Sequence, residues 1–146
     1  MGILTGGCYC GNITVRVETD VPAGDMTPRA CDCHFWTTHG AEWVSTPEAA
    51  LEIEIQNEAA LSLYSQGSDG ARLWICQRCG VVPAVTCDID DHRKGAVNRR
   101  VLDNRDDFPP SEVTSPASLS PEEKKARWKT LWMQKVVIKD RWDVGL

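Results

Sequence analysis

The sequence predicts a mainly β fold of compact antiparallel sheets with one helix near the C-terminus. Three observations carry that expectation. Residues 12–18 and 51–56 alternate apolar and polar side chains with a period of two, so each can turn one face to a core and the other to water. Further short apolar runs follow, broken by Gly, Pro and Asp at close intervals. The period changes to a helical one after Ser120.

Taken in order, residues 1–7 carry neither the basic start nor the apolar stretch of a secretory leader, and a glycine stands where an N-myristoylation site needs Ser or Thr. A soluble, cytoplasmic protein is expected. Residues 12–18, with Ile13, Val15 and Val17 on one side, form the first expected strand. Residues 46–50 read as a short turn or a helical turn, and 51–56 and 61–64 as strands. The turn Gln66-Gly67-Ser68-Asp69-Gly70 leads into a strand over 71–75. A strand over 81–86 leads out of the segment that follows, and residues 95–102 read as another. The acidic stretch 88–93 between them, which contains His92, reads as a solvated loop.

Pro109, Pro110, Pro116 and Pro121, with several Ser, mark an extended connector. Ser120 as N-cap, Pro121 at the first helical position and Glu123 completing a capping box then predict a helix start. Trp128, Leu131 and Trp132 share one face of that helix, which is expected to dock on the sheets. The other use of that face is a contact between two copies of the chain, a homodimer. Residues 136–138 suggest a return to strand. The chain thus divides into a metal-binding β domain over 1–108, and a Pro/Ser-rich connector with its amphipathic helix over 109–146.

Composition excludes some classes of function. The 146 residues carry 42% apolar side chains, enough for one core, and no apolar run reaches the ~20 residues that span a bilayer. Net charge is -5. Residues 111–146 carry a net charge of +2 and the remainder -7. An acidic body argues against nucleic acid and anionic membranes as partners.

Seven cysteines dominate the chemistry: Cys8, Cys10, Cys31, Cys33, Cys76, Cys79 and Cys87. An odd number without a secretion signal argues against a disulfide framework. Cys8-Tyr9-Cys10 and Cys31-Asp32-Cys33 are C-x-C pairs, and Cys76-Gln77-Arg78-Cys79-Gly80 is a C-x-x-C-G turn. In a tight turn such spacing aims two sulfurs at one zinc ion. A redox reading of C-x-x-C requires a strand-to-helix setting. Here strand-like residues flank the pair on both sides, which predicts a hairpin knuckle. Cys87, standing alone, reads as a small buried hydrophobe.

The ordered cysteine motifs resemble the glutathione-dependent formaldehyde-activating enzyme family, which includes centromere protein V. Gly6-Gly7-Cys8-Tyr9-Cys10-Gly11 is similar to its opening G-G-C-x-C-G, and Cys31-Asp32-Cys33 with Gly40-Ala41 to its second motif, C-x-C-x-x-C ending in G-A. Tyr64 with Cys76-Gln77-Arg78-Cys79-Gly80 resembles the third, and Asn98 with Leu102-Asp103 the late N-x-x-x-L-D stretch. The resemblance spans about residues 5–104. It implies Mss4-like packed and bent antiparallel sheets around a structural zinc held by Cys8, Cys10, Cys76 and Cys79. It also implies a catalytic zinc at the second motif, with an open position for a glutathione thiol.

The chain departs from the family at that motif, because Trp36 stands in place of the third cysteine. Cys31 and Cys33 remain as ligands of a second zinc or as thiolates acting directly. A third ligand would come from His34, His39 or Cys87. Trp36 and Trp43 are candidate walls of a substrate pocket and His39 a candidate acid or base. The expected activity is of the carbon–sulfur lyase type, on a thiol (glutathione) adduct of an aldehyde or a related small electrophile. A diverged pocket enzyme for a hydrophobic small molecule is a variant of it. The alternative is a non-catalytic zinc module that binds a protein or a ligand.

Overall fold

The computed structural model of the chain describes residues 2–31, 40–65, 70–114 and 119–140. Among these lie the strands β1 (Gly2–Gly7), β2 (Ile13–Thr19), β3 (Arg29–Cys31), β4 (Trp43–Val44), β5 (Ala50–Ile55), β6 (Leu61–Ser65), β7 (Arg72–Cys76), β8 (Ala84–Ile89), β9 (His92–Asn98), β10 (Glu112–Thr114) and β11 (Lys135–Asp140). One helix, α1 (Pro121–Leu131), precedes β11. The strands form a four-stranded sheet, β1-β2-β5-β11, and a seven-stranded sheet, β10-β3-β4-β9-β8-β7-β6. The mainly β architecture with a C-terminal helix is therefore the one expected. No helix of the described residues is long and apolar enough to cross a membrane.

The alternation in β2 and β5 does what a period of two requires. Ile13, Val15 and Val17 pair in register with Ile55, Ile53 and Leu51, and all six are buried. They pack against Trp74, Cys76, Ala84 and Val97 of the larger sheet to form the main core. Each such side chain contributes about 1.5–3 kcal/mol by leaving water. The next residues along the larger sheet face the other way. Leu73, Val85, Cys87 and Ala96 form a second apolar layer with Trp43, and Trp132 buries itself there. Trp128 and Leu131 of α1 pack on the same layer, and the Trp128 and Trp132 rings stack at 4.7 Å.

The helix begins where its residues dictate. Ser120 Oγ accepts from Glu123 N at 3.1 Å, and Glu123 Oε1 accepts from Ser120 N at 3.1 Å, closing the capping box. At the far end Trp132 N donates to Trp128 O at 2.8 Å, and the chain then turns into β11.

Several elements differ from their sequence expectation. β11 and β10 run parallel to β5 and β3, respectively. Parallel neighbours need a long crossover, which the distant returns of the chain supply. The expected strand over 95–102 ends at Asn98 and gives way to a 3-10 turn, Arg99–Val101. The cause is Asn98 itself, whose Oδ1 accepts from Arg100 N at 3.2 Å and caps that turn. The acidic loop is a tight hairpin between β8 and β9, with Asp90 and Asp91 both at positive φ, 54° and 64°. β1 has no strand-like alternation. Its glycines are needed for contact: a Cβ on Gly6 would stand 2.0 Å from Val101 O, and one on Gly7 2.6 Å from Ile13 O.

Candidate metal centre

Two turns bring four cysteines together. After β1 the chain folds back through Cys8-Tyr9-Cys10-Gly11, with Gly11 N donating to Cys8 O at 3.2 Å and Cys8 N to Ile13 O at 2.8 Å. Gly11 takes φ +83°, which a side chain would resist. After β7 the chain turns through Cys76–Gly80, with Gly80 N donating to Cys76 O at 2.8 Å and Cys76 N to Val81 O at 3.0 Å. Gly80 sits at φ +77°. This is the hairpin knuckle the spacing predicts, with no helix after it.

Both knuckles lean on one short turn, Glu58–Ala60. Buried Asn12 donates to Asn57 O at 3.2 Å and accepts from Asn57 N at 2.8 Å. Gln77 N donates to Ala60 O at 2.8 Å. Strand pairing within the sheets and this shared turn fix the distance between the two cysteine pairs.

The sulfurs of Cys8, Cys10, Cys76 and Cys79 all lie within 4.8 Å of one another, a group that can hold a metal ion. Cys8 and Cys10 Sγ are 3.8 Å apart, and Cys10 and Cys76 Sγ 3.4 Å. All four are free thiols. Cys76 and Cys8 are buried, Cys79 half-buried and Cys10 exposed.

The thiols are unlike in acidity. Burial pushes Cys8 up to about 12, against the N–H of Ile13, which reaches its sulfur at 3.3 Å. Burial pushes Cys79 up as well, yet its thiol falls to about 6. The backbone N–H groups of Val81 and Cys10, with the thiols of Cys76 and Cys8, outweigh the burial. Amides that converge on a thiolate also lower the charge density that four thiolates would otherwise accumulate around one ion.

The other expected site residues have a different standing. Cys33, His34, Trp36 and His39 lie outside the described residues, as does the side chain of Cys31, whose backbone ends β3. Trp43 is described, and it is buried in the second apolar layer. Cys87 is buried in that same layer, away from the four-cysteine group.

Sequence reasoning missed two charged features near the second motif. Glu42, just after Gly40-Ala41, is buried and receives Arg99 Nη2 at 2.6 Å and Arg100 Nε at 2.9 Å. Ser111 Oγ donates to its other oxygen. Half-buried Arg29 in β3 donates from Nη2 to Ser45 Oγ at 2.5 Å. No local pattern marks either one, because each partner comes from a distant part of the chain.

Comparison with known proteins agrees with this geometry. Residues 3–115 match the model of the family described as glutathione-dependent formaldehyde-activating enzyme. The fold is similar to that in a crystal structure of a Rhodobacter sphaeroides protein, with a TM-score of 0.53 at 24% identity. That likeness covers 74% of this chain and 99% of the other, and at this identity it speaks for the fold alone. No curated protein matches. With its motifs, its four-cysteine centre and a match over most of its length, the chain belongs to the glutathione-dependent formaldehyde-activating enzyme family.

Proposed function

We propose that the chain is a zinc enzyme of the carbon–sulfur lyase type, which makes or breaks the bond between a thiol and an aldehyde carbon, with glutathione as the thiol. The four-cysteine centre carries the metal half of this reading. Four sulfurs about 2.3 Å from a zinc ion form a tetrahedron with edges of about 3.8 Å. The spacings of 3.8 Å and 3.4 Å around Cys10, with all four sulfurs within 4.8 Å of one another, are close to that size. With four protein ligands the site has no open position, so its role is to clamp the two knuckles.

Family membership carries the catalytic half. The chemistry belongs at Cys31, Cys33 and His39, with Trp36 and Trp43 as walls of the substrate pocket. A zinc bound there would supply a lowered thiol pKa. In the forward direction the thiolate sulfur bonds to the aldehyde carbon, the C=O π pair moves to oxygen, and that oxygen takes a proton from His39. The reverse direction returns the hydroxyl proton to His39, re-forms the C=O bond and releases the thiolate. The substrate is a small molecule, and neither nucleic acid nor membrane is needed.

Trp36 in the third cysteine position favours a second reading, a zinc module that binds without catalysis. Two measurements separate them: zinc per chain by elemental analysis under reducing conditions, and consumption of the formaldehyde adduct of glutathione. The enzyme reading expects turnover that is lost in Cys31→Ser and Cys33→Ser while the four-cysteine zinc remains. A ratio near two that falls to one in those variants would place a second zinc at the second motif. A fully zinc-loaded chain with no turnover, and none gained in Trp36→Cys, would overturn the enzyme reading in favour of the binding module.

A further inference from the structure

We propose that the cavity on the β6–β9 end of the larger sheet is a binding pocket for a small organic carboxylate with a short apolar body, a site separate from the second motif and independent of the lyase reading. The cavity has a volume of about 150 Å³. Strand register accounts for its lining. Leu63 pairs with Trp74, Arg72 with Thr86 and Asp88 with Arg93, and residues directly opposite each other turn their side chains to the same face. The period of two then places Arg72 with Trp74 on that face of β7, and Thr86 with Asp88 on that face of β8. All six residues line the cavity. In strand order β9 and β4 lie between β8 and β3, so about 14 Å separates β8 from the strand that ends at Cys31.

The floor is made of buried groups. Trp74 Nε1 donates to Thr86 Oγ1 at 2.9 Å, and both residues are buried. The Thr86 methyl points toward β9, 3.3 Å from where a Cβ on Gly95 would stand. Its oxygen therefore faces Trp74, and having accepted the indole proton it keeps its own proton to donate. Leu63, exposed on the edge strand β6, adds an apolar wall. The rim is positive. Arg72 and Arg93 stand on either side of β8, and Asp88 already meets Arg93 Nε at 3.4 Å. Gly70 also lines the cavity, and a Cβ placed on it would lie 3.8 Å from Lys125 Nζ, which brings a third cation to the same place. On a chain of net charge -5 this local excess of positive charge selects an anion. A guanidinium fork matches a carboxylate with two parallel hydrogen bonds. The volume equals that of about five water molecules, which suits a carboxylate on a few carbons and is too small for a tripeptide. Leu63 and Trp74 favour those carbons over a bare inorganic anion.

The test compares ligands that differ in charge or in carbon body. Butyrate, its neutral amide butyramide and inorganic phosphate are titrated at matched ionic strength into the zinc-loaded full chain. The assigned indole Nε1–H signal of Trp74 is followed by NMR. The pocket predicts a saturable shift with butyrate, which binds about 10-fold or more tightly than either butyramide or phosphate. Arg72→Met removes the preference for butyrate over butyramide, and Leu63→Ala narrows the preference for butyrate over phosphate. Both residues are exposed, so zinc content and melting temperature should stay at the parent values. Arg93→Met is a second charge variant and weakens butyrate several-fold. Equal affinity for butyrate and butyramide overturns the proposal, as does a Trp74 signal that butyrate leaves unmoved. A butyrate preference that survives unchanged in both Arg72→Met and Arg93→Met overturns it as well. Phosphate binding as tightly as butyrate would reduce the pocket to a bare anion site and overturn the carboxylate assignment.

Discussion

Cys10 Sγ stands 3.4 Å from Cys76 Sγ although 66 residues separate them in the chain. A metal between those sulfurs closes a loop that includes β2 through β7. Its binding free energy therefore enters folding directly, and for structural zinc in small domains this reaches about 10–16 kcal/mol. Whole domains are stable by only about 5–15 kcal/mol. Cys76→Ser should therefore purify without metal at this site and unfold without a cooperative transition near room temperature. A strong chelator should do the same to the unaltered chain. Elemental analysis beside a thermal melt checks both, and a metal-free variant that melts normally would rule out the clamp role.

Gly6 allows a different kind of test, because space and backbone strain separate there. A Cβ at Gly6 would meet Val101 O at 2.0 Å, and the obstacle is backbone, which cannot rotate away. Gly11 has open space around it but sits at φ +83°. Gly6→Ala should cost about 3 kcal/mol or more, since β1 must leave the Gly6–Leu102 bridge. Gly11→Ala should cost about 1–2 kcal/mol, the strain of a left-handed residue. Chemical denaturation of the two variants, each with full metal, measures the difference, and equal costs would refute the steric assignment.

These two glycines also show where the sequence was silent. β2 and β5 were legible because their core is local to each strand: Ile13, Val15 and Val17 alternate, and so do Leu51, Ile53 and Ile55. β1 was not, because Gly6 and Gly7 are glycines for the sake of Val101 and Ile13, residues that only the fold brings near. The parallel returns of β10 and β11 are equally hidden, since periodicity names a strand but never its neighbour. The metal centre was legible because cysteine spacing encodes the knuckle. The partners of Glu42 were not, because Arg99 and Ser111 reach it from 57 and 69 residues away.

The second apolar layer makes its own prediction about the helix. Trp132 is buried against Leu73, Val85 and Ala96, whereas Trp128 is only half-buried and rests on Trp132 at 4.7 Å. Trp132→Ala should cost about 3–5 kcal/mol, the range for an aromatic removed from a core. Trp128→Ala should cost about 1–2 kcal/mol, mostly its share of the stack. Hydrogen exchange in α1 should accelerate in both variants, while β2 and β5 stay protected until global unfolding. Similar costs for the two would mean that α1 is held by something other than Trp132.

Glu42 sets the acid limb of stability. Burial by itself raises its carboxyl pKa, but the hydroxyl of Ser111 and the guanidinium groups of Arg99 and Arg100 overcome this and hold it below the ordinary value. A carboxyl depressed by folding contributes stability that is fully present above its unfolded pKa, near 4.5. That contribution is lost as pH falls through the lower folded value. Arg99 Nε is already buried without a hydrogen-bond partner among the described residues, so the guanidinium depends heavily on Glu42. Glu42→Gln should therefore cost about 3 kcal/mol at pH 7, where breaking a buried pair leaves Arg99 uncompensated. The gap between the variant and the parent should narrow steadily below about pH 4.5, once the parent's own carboxylate takes up a proton. Urea titrations at pH 7, 5 and 3 measure it. A gap that is constant across the three would show that the side-chain amide, and not the missing charge, is what the site fails to accommodate.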